Sequence, residues 1–177
     1  YDESIDYLES EGYVIIKNAL TANEASKTLD LLWDYLENLG TGIDRTNPLT
    51  WSDDKWPTCA HGGIIPSYGI GHSEAQWFVR GVPNVKKAFA KVWETNDLLT
   101  SFDGVSLWRP WNIDPSWKTQ SGQAWFHIDQ HPISKPGKQC IQGLINLLPT
   151  SKEIGGNVVI PKSHNFFKDI PEEYKER

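Results

Sequence analysis

A chain of 177 residues, 38% hydrophobic and 23% charged, is long enough for one domain with a substantial core, and its composition excludes a disordered chain. The net charge of −6 gives no electrostatic reason to expect nucleic acid or an anionic membrane as partner. No apolar run approaches the roughly 20 residues of a membrane span, and no signal-peptide pattern opens the sequence. Cys59 and Cys140 cannot build a disulfide framework or a four-thiolate zinc site, so a reducing, cytoplasmic setting is the expectation. There is no methionine, which points to a trimmed or processed chain. The nine tryptophans are either core payload or, for those near 108–125, a surface on which a ligand stacks.

In chain order, the N-terminal part reads as helical with one short strand, Tyr13-Val14-Ile15-Ile16 after Gly12. Thr21 and Glu24 match a capping box. Ala25, Leu29, Leu32, Trp33, Leu36 and Leu39 follow at helical spacing up to Gly40, which predicts one amphipathic helix over about 22–39. Residues 41–72 are rich in Gly, Pro, Thr, Ser and Asp and too long for a connector, so a lid or active-site loop is expected there. Ser73 and Gln76 fit the start of a short helix ending near Arg80. After Pro83, the residues Val85, Ala88, Phe89, Val92 and Trp93 define another amphipathic helix.

From Ser101 the pattern changes to short strands at 102–108, 123–129, 140–147 and 156–160, split by Pro- and Gly-containing turns. Helices first and strands afterwards predict a single α+β domain over 1–177. Residues 1–100 are mainly helical with the 41–72 loop, and 101–167 form a sandwich or jelly roll.

The chemistry concentrates in Trp125-Phe126-His127-Ile128-Asp129-Gln130-His131-Pro132. In a strand, Gln123, Trp125, His127 and Asp129 share one face while Ala124, Phe126 and Ile128 share the other. One imidazole and one carboxylate on one face are two-thirds of the facial triad that holds non-haem Fe(II) with open positions. The pair alone is weak, since five His and twelve Asp in 177 positions give about 0.34 such pairs by chance. In the next strand, Gln142 and Asn146 share a mixed face. Those amides either orient a bound acid or satisfy loop backbone groups. Arg109 offers a bidentate fork to a co-substrate or substrate acid, or else bridges to Asp103 or Asp114. His131 is followed by Pro132, which ends strand geometry, so it reads as a rim residue rather than a ligand. His61 and His72 flank the Gly-rich stretch of the 41–72 loop and read as part of a mobile lid.

Five blocks occur in order: Ser101-Phe102-Asp103-Gly104; Arg109-Pro110-Trp111; the Trp-Phe-His-Ile-Asp-Gln run; Gln142-Gly143-Leu144; and Gly155-Gly156-Asn157-Val158-Val159-Ile160-Pro161-Lys162-Ser163-His164. Together they resemble the phytanoyl-CoA dioxygenase family of Fe(II)- and 2-oxoglutarate-dependent oxygenases, most strongly over about 69–167. The resemblance implies N-terminal helices packed on a double-stranded β-helix (a cupin-like jelly roll). It implies Fe(II) held by His127 and Asp129, 2-oxoglutarate as co-substrate, and O2 and a small organic molecule as the reacting partners.

The family's third ligand is a His on a later strand, followed by an Arg that pairs with the distal carboxylate of 2-oxoglutarate. No segment of this chain matches either, so a β-helix lacking its C-terminal strands is implied, continued by further chain or completed by a partner. His164 lies in the Ser-His turn block and does not match the distal ligand; it reads first as a histidine fixing a turn. The oxygenase reading has two rivals: a non-catalytic ligand-binding protein on the same fold, and a cupin-like metal enzyme that does not use 2-oxoglutarate.

Overall fold

The computed structural model describes residues 2–60, 63–118, 126–151, 153–154 and 156–169. The chain divides into two compact units, one from Tyr1–Ala19, Lys91–Glu94 and Trp125–Arg177, the other from Leu20–Ala90 and Thr95–Ala124. The described residues carry α1 (Asp2–Glu11), α2 (Ala22–Glu37), α3 (Glu74–Gly81), α4 (Pro83–Trp93), and the strands β1 (Ile64–Ile65) and β2 (Val105–Ser106). None of the described helices is long and apolar enough to cross a membrane.

The second unit is built on α2. Its start is the capping box expected from the sequence: Glu24 N–H donates to Thr21 Oγ1 at 3.2 Å, and Thr21 N–H returns a bond to Glu24 Oε2 at 2.8 Å. The Thr21 N–H and the Thr21 hydroxyl, both donating to Oε2 at 2.8 Å, hold the Glu24 carboxyl below its ordinary range. Thr28, Leu32 and Leu36 recur every four residues and are the buried stripe. The Thr28 hydroxyl tolerates burial because it donates to Glu24 O at 2.7 Å. Helix α3 packs against α2, capped by Ser73 as expected, with Ala75 and Val79 buried. Pro83 opens α4 at a position where its missing N–H costs nothing.

The segment expected as a lid instead supplies core. Ile43, Trp56, Ile65 and Ile70 join Leu36 in one buried cluster. Trp33, Trp51 and Trp56 stand 5.1–6.5 Å apart, ring centre to ring centre, in the same region. With only β1 and short 3-10 turns for regular structure, the segment also uses side chains to meet its backbone polar groups. Asn47 caps a short 3-10 turn, Pro48–Thr50, and Trp51 Nε1 donates to Asp44 O at 2.9 Å. Arg45 fastens the segment to α2 through Asp34 and through Glu37, whose Oε2 accepts from Nη2 at 2.7 Å. That bond lowers the Glu37 pKa and raises that of Arg45.

β1 and β2 pair antiparallel, with Ile64 opposite Ser106 and Ile65 opposite Val105, and Leu107 N–H continues to Gly63 O at 2.7 Å. Gly104 is required beside this ladder, because a Cβ there would stand 2.6 Å from Ile65 O.

In the first unit, α1 is tied to the Ser-His block. The last carbonyls of a helix have no partner within it. Here Lys162 N–H donates to Glu11 O at 2.8 Å, and His164 Nε2 lies 2.9 Å from Glu9 O. Glu9 and Glu11 oppose the helix dipole at this end and are met by Lys138 at 2.6 Å and Lys162 at 3.4 Å. Gly12 ends the helix at φ +80°, where a Cβ would also overlap the His164 ring.

The strand expected at 13–16 carries no ladder, nor do the described residues of those expected at 123–129, 140–147 and 156–160. An extended backbone becomes a strand only when another backbone is aligned beside it. Gln123 and Trp125 of the expected ligand face, and Ala124 of the opposite face, lie outside the described residues.

Candidate metal site

His127 and Asp129 meet in an irregular stretch rather than on a strand. Nε2 of His127 lies 3.1 Å from Oδ1 of Asp129, and both side chains are half exposed. Two donors each about 2.1 Å from an octahedral ion, on adjacent corners, stand about 3.0 Å apart. The observed separation therefore fits a divalent cation held between them. A nitrogen and a carboxylate oxygen are also the donor types that Fe(II) takes in a facial triad.

The second oxygen of Asp129 is occupied. Gln142 Nε2 donates to Oδ2. The expected amide pair is thereby split: Gln142 stands at the ligand carboxylate, while Asn146 is exposed and does not join it.

Between Asp129 and Gln142 the chain forms a knitted loop. Gln130 Nε2 donates to Lys135 O and Gly137 O, both at 2.5 Å, and Gln130 Oε1 accepts from Gln139 N–H at 3.2 Å. His131 Nδ1 accepts from the amides of Ile133 and Ser134 at 3.3 and 3.1 Å. That nitrogen serves the turn, in keeping with a role outside the metal's coordination.

The other expected site residues are used elsewhere. Arg109 donates to Trp51 O at 2.6 Å and to Asp53 Oδ1 at 2.5 Å. Its guanidinium lies over Trp56 and over Trp117, at 5.5 and 4.7 Å. Asp53 thus takes the place expected of Asp103 or Asp114, and Arg109 is a bridge across the second unit's tryptophans. Asp114 instead caps the 3-10 turn Pro115–Trp117 by accepting from Ser116 N–H at 2.9 Å, which lowers its pKa. His164 meets the Glu9 carbonyl at the end of α1 rather than a group of its own turn. His72 stacks on Phe102, ring centres 4.0 Å apart, and His61 lies outside the described residues. Burial pushes the Cys59 thiol up, away from the thiolate a metal would need. Among the described residues, no group of three His, Cys, Asp or Glu is assembled that could hold a metal.

Sequence reasoning missed the contact between Gln142 and Asp129. Its signal was the mixed face shared by Gln142 and Asn146, read there as orienting a bound acid or satisfying loop backbone groups rather than meeting the neighbouring carboxylate.

Comparison with known proteins bears on the whole chain. No family model and no solved structure matches it. It is 34% identical over 170 residues to "Ava biosynthesis cluster protein O" of Aspergillus versicolor, covering 96% of this chain and 53% of that protein. It is 26% identical over 200 residues to "Putative phytanoyl-CoA dioxygenase" of Dictyostelium discoideum, covering 93% and 56%. The chain thus spans about half the length of the curated relatives it matches. The likeness runs along nearly all of this sequence, and the two relatives support a phytanoyl-CoA dioxygenase-like family for it.

Proposed function

We infer that the chain carries two of the metal ligands of an Fe(II)- and 2-oxoglutarate-dependent dioxygenase that hydroxylates a small organic substrate. The observation that carries this is the His127–Asp129 donor pair, spaced for adjacent corners of an octahedral ion, in a chain similar to a protein named for a dioxygenase. Bound Fe(II) supplies the redox chemistry by which 2-oxoglutarate, O2 and a C–H bond become succinate, CO2 and an alcohol. The chain's own part is to hold and orient. His127 would offer an imidazole nitrogen and Asp129 a carboxylate oxygen, with Gln142 donating to the other carboxylate oxygen. The fold proposed to support this is the double-stranded β-helix that the family resemblance implies, with 140–147 and 156–160 among its expected strands.

The test is succinate release that requires both Fe(II) and 2-oxoglutarate, lost in His127→Ala and Asp129→Ala. Succinate release that ignores added iron, or survives both substitutions, sinks the reading. The absence of a third donor beside the pair among the described residues favours one rival, a ligand-binding protein without catalysis. A preparation that takes up neither Fe(II) nor Mn(II) while still binding an organic ligand supports that rival.

A further inference from the structure

Asp129 is the less constrained of the two proposed ligands. A carboxylate can turn about its last bond and offer a metal one oxygen, the other, or both. In this chain the choice is already made: Oδ1 faces His127 Nε2 at 3.1 Å, and Oδ2 is taken by the Gln142 amide. Gln142 is thirteen residues away in sequence and reaches Asp129 because the intervening loop is closed. The Gln130 amide holds Lys135 O, Gly137 O and Gln139 N–H, and His131 Nδ1 holds the amides of Ile133 and Ser134. Gly137, at φ +75°, lets the chain turn back toward Asp129.

Resting on the metal-site reading above, we propose that Gln142 is a positioning residue that locks Asp129 into one-oxygen ligation, and that the Gln130 clasp delivers it there. An amide N–H on the oxygen not used for the metal fixes the carboxylate plane and leaves Oδ1 as the donor. It also excludes a bidentate carboxylate, which would occupy a second corner of the ion and close a position that a co-substrate needs.

The test uses the whole protein that contains this sequence, with Mn(II) and Co(II) alone as probes, so no turnover is required. Mn(II) affinity is read from the free-ion electron paramagnetic resonance signal, and coordination from the visible d–d absorption of Co(II). His127→Ala and Asp129→Ala are expected to abolish uptake. Gln142→Leu is expected to weaken Mn(II) by about 10–100-fold, the usual cost of losing a partner of a metal ligand. It is also expected to change the Co(II) spectrum, which a residue acting on folding alone would leave intact in the loaded fraction. Ile154→Ala, which trims an exposed side chain outside the 130–142 loop, is expected to keep the wild-type spectrum.

Should Gln142→Leu lose its circular dichroism, Gln142→Glu decides. It keeps the size and polarity but has no hydrogen to offer Asp129 at neutral pH, and an altered spectrum is expected. A wild-type spectrum and affinity in either folded variant overturns the role of Gln142 and leaves the metal site standing. Failure of the wild-type chain to take up either ion overturns the metal-site reading itself.

Discussion

Residues 43–70 and residues 126–160 both carry large apolar side chains, and they use them in opposite ways. In the first stretch Ile65 and Ile70 are 0% and 1% exposed, packed with Leu36 of α2. In the second, Phe126 and Ile128 are each 53% exposed and Val158 is 66% exposed. Hydrophobicity alone does not separate them; what differs is the surface each has to pack on. The first stretch has the buried stripe of α2 beside it and fixes its irregular backbone with Asn47, Arg45 and the Asp44 carbonyl. The second is organised by polar contacts, Gln130 and His131 within the loop and Gln142 on Asp129. One region is a load of buried carbon, the other a set of hydrogen bonds around an exposed donor pair.

Substitutions in the two regions should therefore separate stability from metal binding. The largest effect on stability is expected at Ile65, where truncation to Ala removes fully buried carbon and leaves a cavity. A loss of about 3 kcal/mol, read from the urea midpoint, is expected. Mn(II) affinity of the fraction that remains folded should not change. Next is Arg109→Ala, at about 2 kcal/mol. Asp53 is 79% exposed, so little of this comes from the ion pair. Most comes from the orphaned Trp51 carbonyl and the two unstacked indoles. Arg109→Lys should recover little, because one ammonium cannot serve the carbonyl and lie flat on both rings.

Gly12→Ala is expected to cost about 1–2 kcal/mol, since it forces a Cβ into the left-handed region and against His164. His164→Ala in the same chain should remove the steric share. A double-mutant cycle that adds without coupling would show that the two do not touch in solution.

The parts legible in the sequence are those whose causes are local. Thr21 with Glu24, Ser73 with Gln76, and Pro83 mark helix starts through bonds within one turn, and α2 and α3 start where those residues predict. α2 ends at Glu37, two residues short of the expectation. The Gly, Pro and Asp content of 41–72 signals irregular backbone, and the backbone is irregular; that the same segment carries core was not legible. Its four buried residues are scattered over 28 positions without a period, and only the tertiary fold gathers them. At the site, the His127–Asp129 pairing was legible from two-residue spacing. The Gln142 bond was not, because it depends on how the 130–139 loop closes. The partners of Arg109 were missed for the same reason: Trp51 and Asp53 lie more than fifty residues away.

A smaller effect is expected at the α2 cap. Thr21→Ala should cost about 1 kcal/mol. Glu24 adds a pH dependence with a definite sign. Its folded-state pKa lies below the ordinary 4.5, so its contribution is complete above that value and is lost as pH falls through the folded one. Glu37, lowered by Arg45, acts in the same direction. Thermal midpoints between pH 5 and pH 2 should therefore fall less steeply in Glu24→Gln, which keeps a hydrogen-bonding side chain in the box and removes the titration.

His127→Ala sharpens the comparison most, because its expected effect on the metal-free chain is the smallest. The side chain is 43% exposed, so its loss should move stability by no more than about 0.5 kcal/mol. With Mn(II) present the two chains should part. A ligand that binds only the folded state stabilises it by about 2.7 kcal/mol at a concentration one hundred times its Kd. The wild-type midpoint should climb with Mn(II) while that of His127→Ala stays where it was. Ile65→Ala should give the converse, a low midpoint that still climbs. Equal climbs in the wild type and His127→Ala would place the ion elsewhere and erase the division of labour between the two regions.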